Sequence, residues 1–300
     1  MRITAVKYYM ADIEQLITRA EAVLARLESF LPPPASAPDW NAVAWRWQTV
    51  NGRGHLVAVD HPHHISLDDI RNVDEQKAEI VRNTEQFVHG YPANNVLLTG
   101  ARGTGKSSLV KAVLSAFADQ GLRLVEVDKQ DLVALPEIAA LLRERKERFI
   151  VFCDDLSFEA SDPGYKALKV VLDGSIAATS DNVLVYATSN RRHLMPEYMS
   201  ENLEVQRHGD EIRPGDTTEE KVSLSERFGL WLSFYSFSQD EYLAVAAQWL
   251  KHYGVAEMND EIGSAALLFS HTRGARSGRV AYQFARDYVG RLALTESKQP

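Results

Sequence analysis

Residues 100 to 108 read Gly-Ala-Arg-Gly-Thr-Gly-Lys-Ser-Ser and follow the spacing Gly-x-x-x-x-Gly-Lys-Ser. Residues of these types at this spacing hold phosphate. Gly100, Gly103 and Gly105 let the backbone turn with its N–H groups inward, and Ala101, Arg102 and Thr104 complete a loop that opens a helix. There the unpaired N–H groups and the helix dipole both favour negative charge. Lys106 would reach the β- and γ-phosphates of a nucleotide, Ser107 would ligate Mg2+, and Ser108 completes the loop. The context fits: Asn95 to Thr99 reads as a buried strand, and Leu109, Val113 and Phe117 follow at helical spacing. The competing reading is a glycine-rich turn that binds nothing.

A cation beside phosphate needs a carboxylate. Asp154 ends the apolar run Arg148 to Cys153, about fifty residues past the loop, and is placed to hold Mg2+ through its water shell. That interval has room for one additional strand, a mark of the phosphate-loop branch that sets a water-activating acid next to the metal carboxylate. Asp155 occupies that position; the plainer alternative is that both aspartates cap the following helix. Asn190 closes Ala187-Thr188-Ser189-Asn190 and can orient an attacking water. Arg227, in Ser225-Glu226-Arg227-Phe228-Gly229, precedes the last predicted strand and suits a reach into a neighbouring subunit's site. Arg273-Gly274-Ala275-Arg276-Ser277-Gly278-Arg279 opens the last predicted helix, from which an arginine can fold back over phosphates.

These residues must be positioned by regular elements. Ile13, Leu16, Ile17, Ala20, Val23, Leu24 and Leu27 mark an amphipathic packing helix, ended by Pro32-Pro33-Pro34. Val43, Trp45 and Trp47 alternate with polar residues, Asn51-Gly52 turns the chain, and Leu56 to Val59 return, a predicted β-hairpin. Asp74 to Val88 predicts a helix, and strands over 122–127, 148–153 and 183–187 alternate with helices over 136–145 and 165–172, so a parallel sheet covered on both faces is expected. Residues 200–225 read as a long exposed insertion. After Leu230 to Phe234 the pattern is helical, with Ser238 and Glu241 as a capping box. The expected architecture is a three-layer α/β/α core with a five-stranded parallel sheet (61–236), a C-terminal helical lid (237–300) and a small N-terminal α+β module (1–60).

The 300 residues suggest about two domains. A net charge of −8 argues against a broad electrostatic grip on nucleic acid or an anionic membrane. The single cysteine, Cys153, forbids an intrachain disulfide and reads as an apolar filler. No signal peptide and no apolar run of membrane-spanning length is found, so a cytoplasmic protein is expected. His61, His63 and His64 read as surface-loop histidines, and Trp45, Trp47 and Trp231 as core or interface residues.

The order of these motifs resembles the AAA-plus ATPases: Walker A, Walker B, sensor 1, arginine finger, sensor 2, with a helical lid. The strings Pro92-Ala93-Asn94-Asn95-Val96-Leu97-Leu98, Phe152-Cys153-Asp154-Asp155-Leu156-Ser157-Phe158-Glu159 and Ser223-Leu224-Ser225-Glu226-Arg227-Phe228-Gly229-Leu230 look like an uncharacterised bacterial AAA-plus family, over about residues 40 to 295. The resemblance implies Mg2+-dependent ATP binding and hydrolysis, with assembly into a homo-oligomer that remodels an unknown protein client. By it Lys106, Ser107 and Asp154 take the phosphate and Mg2+ roles, Asn190 is sensor 1, Arg227 the finger, Arg279 sensor 2 with Arg276 as competitor, and Ile70 lies near adenine. One departure stands out: AAA-plus proteins usually carry Asp-Glu where this chain has Asp154-Asp155. Either Asp155 positions water, or Glu159 supplies the longer carboxylate, or hydrolysis is slow and ATP acts as a switch on protein or DNA contacts, as in a helicase loader.

Overall fold

The computed structural model describes residues 16–23, 37–158, 162–173, 181–191, 194, 206–208, 211–213 and 224–296. Residues 16–23 are helical, but Leu16, Ile17 and Val23 are exposed, so this part of the expected packing stripe is not buried. Ala44–Val50 (β1) and Arg53–Ala58 (β2) form the antiparallel hairpin. Asn51 and Gly52 both take positive φ, 51° and 75°, as a two-residue turn matched to strand twist requires.

Asp74–Val88 (α1) leads to Val96–Gly100 (β3), and the chain then alternates: Lys106–Phe117 (α2), Leu122–Glu126 (β4), Leu135–Arg143 (α3), Arg148–Cys153 (β5), Pro163–Asp173 (α4) and Val183–Ser189 (β6). Two short strands, Gln206–His208 (β7) and Glu211–Arg213 (β8), pair antiparallel within the region expected to be an irregular insertion. Leu230–Phe234 (β9) completes the sheet, whose order is β2-β1-β4-β5-β6-β3-β9.

The α/β/α class is therefore the expected one, but the sheet has seven strands rather than five. The five parallel strands β4-β5-β6-β3-β9 are extended because β1 pairs in parallel with β4 through Ala44–Arg46. Burial drives this addition: Trp45 and Trp47 are almost fully buried in the same cluster as Phe149 and Val151, and Arg46 pairs with Glu126 at 2.9 Å across the junction. A hairpin standing alone would leave those indoles in water. The strand interposed in sequence between the phosphate loop and Asp154 is β4, yet in the sheet it is β6 that runs between β3 and β5.

Strand alternation divides the core between two layers. Leu97, Phe149, Val151, Val185 and Ala187 face one cluster, with Leu135, Leu142 and Leu168 from α3 and α4. Val96, Leu98, Ile150, Phe152 and Tyr186 face the other, with Ile80 and Phe87 from α1 and Leu109 and Val113 from α2. The buried Tyr186 hydroxyl meets Thr84 Oγ1 at 2.8 Å and accepts from Asn83 Nδ2 at 3.1 Å, which satisfies polar groups that burial would otherwise penalise. Cys153 is fully buried, and burial pushes its thiol up to about 12, as befits a filler.

Gln239–His252 (α5), Asp260–Arg273 (α6) and Gly278–Glu296 (α7) enclose a third cluster around Tyr242, Ala246, Ala266 and Phe284. Ser238 Oγ accepts from Glu241 N while the Glu241 carboxylate accepts from Ser238 N, the expected reciprocal cap. The helical unit is fastened to the segment before α1 by Asn72 Nδ2 donating to Glu241 O (3.2 Å), and within the unit Phe237 N donates to Arg276 O (3.2 Å).

Candidate functional site

Strand order reverses at β3: the chain leaves it towards β4 on one side and returns from β6 to β9 on the other. In open parallel sheets that reversal leaves a crevice beyond the carboxyl ends of the strands. The Gly100–Ser108 loop sits there. Gly100, Gly103 and Gly105 adopt φ of 128°, 76° and 100°, which only glycine enters freely. Gly100 also passes so close to β9 that a Cβ would lie 1.8 Å from Phe234 O. The loop therefore bends where the sequence places glycine, and α2 starts at Lys106 with no side-chain cap, so that its first N–H groups have no partner within the helix.

The crevice is about 910 Å3 and lies between sheet and helical unit. Arg102 through Ser108 line it, with Ile70, Asp154, Asp155, Asn190 and Arg279. Gly100 and Ala101 sit beneath as loop base; their carbonyls each accept from Lys106 Nζ at 2.8 Å. Two predicted residues stand elsewhere. Arg276 is exposed away from the lining, and its carbonyl serves the helical unit. Arg227 does not line the crevice but is paired with Asp173 at the end of α4. Glu159 lies outside the described residues, as does most of the 200–225 segment.

The polar side chains form one continuous network. Ser107 Oγ donates to Asp154 Oδ1 at 2.6 Å, and Thr188 Oγ1 donates to the same oxygen. Thr188 Oγ1 accepts from Asp155 N at 2.9 Å, Asn190 Nδ2 donates to the Asp155 carboxylate, and Lys106 Nζ donates to Asn190 Oδ1 at 3.1 Å. Lys106 is buried and held below its ordinary value, chiefly because burial penalises the ammonium; Asp154 and Asp155 act in the opposite sense. A cation with hydrated oxygen ligands fits this set: a hydroxyl and a carboxylate already share one oxygen contact, next to amides and a lysine suited to phosphate.

The helical unit closes over the loop. Arg279 N donates to Gly103 O at 3.3 Å, and a Cβ on Gly103 would lie 2.8 Å from Ser277 Oγ. Sequence reasoning did not single out Thr188, nor the aromatic wall from α5 and α7, where Trp249 and Tyr282 meet edge to face at 4.8 Å. His63 and His64, read as surface histidines, are exposed on the rim of this crevice. No group of three or more His, Cys, Asp or Glu residues arranged to hold a metal occurs among the described residues. No helix of the described residues is long and apolar enough to cross a membrane.

The fold, with this loop at its switch point, resembles that of the AAA-plus P-loop class. It belongs to the family described as Protein of unknown function (DUF815), which matches residues 40–292. Its structure is similar to that of Thermotoga maritima RuvB, a Holliday junction branch migration motor, at 17% identity over 77% of this chain, with a TM-score of 0.50. Two single-residue variants of that RuvB, at 17% and 16% identity, align over the same 77% share with a TM-score of 0.52. The chain spans 66% of the length of the first of these RuvB structures, 66% and 67% for the two variants, and at such identity the likeness concerns fold. No curated protein matches the sequence.

Proposed function

We propose that this protein is a Mg2+-dependent ATPase, with nucleotide bound between the sheet and a helical lid that begins near residue 237. The observation that carries the proposal is the network from Ser107 through Asp154, Thr188, Asp155 and Asn190 to Lys106, set at the mouth of the glycine loop. The loop N–H groups and Lys106 bind the phosphates, Ser107 and Asp154 hold Mg2+ with its water, and Asp155 with Asn190 places the attacking water. Mg2+, when bound, neutralises phosphate charge and polarises the transferred group. Arg279 reaches the site from the lid, its position on the lining favouring it over Arg276, and Ile70 borders the base. Arg227 completes the site of a neighbouring copy, so that assembly and turnover are coupled and can be spent on remodelling a protein partner.

Lys106→Ala tests the core of this reading. The loss of a charged donor to phosphate is worth about 1.5–3 kcal/mol, or roughly 10- to 150-fold in Kd. Calorimetric titration with ATP and Mg2+ reads it, and equal affinity in variant and parent refutes the site. A second reading, an ATP-gated switch with weak hydrolysis, is favoured by one observation: Asp155 is a short carboxylate already engaged by Asn190. Turnover measured with and without DNA, at several salt concentrations, separates the two.

A further inference from the structure

Thr188 lies at the penultimate position of β6, opposite Leu98 of β3, one residue beyond the level at which Ala187 pairs with Cys153 of β5. It is buried, at 1% exposure, yet its hydroxyl reaches both aspartates that follow β5. The single hydroxyl hydrogen goes to Asp154 Oδ1, and the oxygen accepts the Asp155 N–H at 2.9 Å. Asp154 Oδ1 thus collects hydrogen bonds from Ser107 Oγ, Thr188 Oγ1 and Asp155 N (3.1 Å), while Oδ2 stands outside the set. Asp155 itself has φ of 51°, left-handed backbone that is uncommon outside glycine and that aspartate enters more readily than most residues. Its N–H is fixed by the two acceptors just named, and its carboxylate accepts from Asn190. The carbonyl of Thr188 also accepts from Leu156 N at 2.7 Å, so the turn after β5 is clamped on both sides of Asp155.

We infer that Thr188 is a positioning residue that orients the two carboxylates together. One hydroxyl fixes the rotation of Asp154, which leaves Oδ2 for the hydrated cation, and fixes the backbone of Asp155, which aims its carboxylate at Asn190. The inference rests on the reading of the crevice as a Mg·ATP site. It adds a claim that reading lacks: cation affinity and water placement are linked through a crevice residue whose hydroxyl is taken up by the two aspartates.

The test uses the full chain and the variants Thr188→Val, which keeps the branched shape without the hydroxyl, and Thr188→Ser, which keeps the hydroxyl. ATP binding is titrated in EDTA and across a Mg2+ series, together with thermal unfolding and, for turnover, kcat and KM. Loss of an outer-shell partner typically weakens metal affinity or activity by about 10- to 100-fold. Thr188→Val should raise the Mg2+ concentration at half-effect on ATP binding by about that factor, lower kcat more than it raises KM, and leave binding in EDTA unchanged; Thr188→Ser should restore the parent's Mg2+ dependence. An unchanged Mg2+ midpoint in Thr188→Val overturns the inference. So does an equal loss of binding in EDTA and in Mg2+, or a serine variant that behaves like valine. A parent that binds ATP in neither condition overturns the nucleotide reading itself, a separate and recognisable result.

Discussion

At Lys106 the proposed role in binding phosphate and the needs of folding oppose each other. The ammonium is desolvated, and its compensation comes from the Gly100 and Ala101 carbonyls, Asn190 and the two aspartates. Its folded value lies below the ordinary 10.5, so between the two values the unfolded chain binds more protons than the folded one. The penalty is full below the folded value and is relieved as pH rises towards 10.5; stability from this group therefore increases with pH. Lys106→Met removes the charge and keeps much of the chain length. In urea the variant should be more stable than the parent at neutral pH, and the difference should shrink on going to alkaline pH. A difference that is constant with pH would mean that the carbonyls and aspartates compensate the ammonium in full. Asp155 adopts left-handed backbone, a conformation most side chains avoid and aspartate tolerates, where it sets a carboxylate beside Asn190.

Elements were legible in the sequence wherever a local rule fixed them. The helix expected over Asp74 to Val88 has those bounds, the Ser238–Glu241 cap opens α5, and Asn51-Gly52 makes the hairpin turn. Periodicity gives no partner, however, so the attachment of β1 to β4, and with it the seventh strand, could not be read. The same limit applies at the site. Gly100 to Ser108 is contiguous and was visible, whereas Thr188 matters only because the parallel register sets it beside Asp154, and Trp249 and Tyr282 only because α5 and α7 present them to the crevice. One loop–helix contact is testable at this scale. Gly103 has φ of 76° and abuts Ser277 and Arg279, while Gly121, at 92°, has nothing within 4 Å of a built Cβ. Alanine at either position should destabilise by more than about 1 kcal/mol through backbone strain. Only Gly103→Ala should also weaken ATP binding, because only there does the added methyl push the start of α7 off the loop. If both variants keep parental affinity, the α7 contact is not part of the binding site.

Across the whole molecule, Arg227 is a candidate site residue that its own crevice does not explain. Its guanidinium is held by Asp173, at the end of α4, and it does not line the crevice that gathers the loop, Asp154 and Asn190. Two accounts compete. In one, the Arg227–Asp173 pair braces α4 against the segment entering β9 and has no part in turnover. In the other, Asp173 holds the arginine ready for the nucleotide of an adjacent copy, where an arginine finger contributes about 10³- to 10⁵-fold to kcat. Light scattering with and without ATP, combined with turnover at several protein concentrations, separates them. The finger account expects mass to rise with ATP, turnover per chain to rise with concentration, and Arg227→Ala to lose hydrolysis while it binds ATP like the parent. Asp173→Asn, which breaks only the intrachain pair, should keep turnover. If Arg227→Ala and Asp173→Asn lower thermal stability alike and leave hydrolysis per bound ATP unchanged, the pair is a brace and the site is complete within one chain.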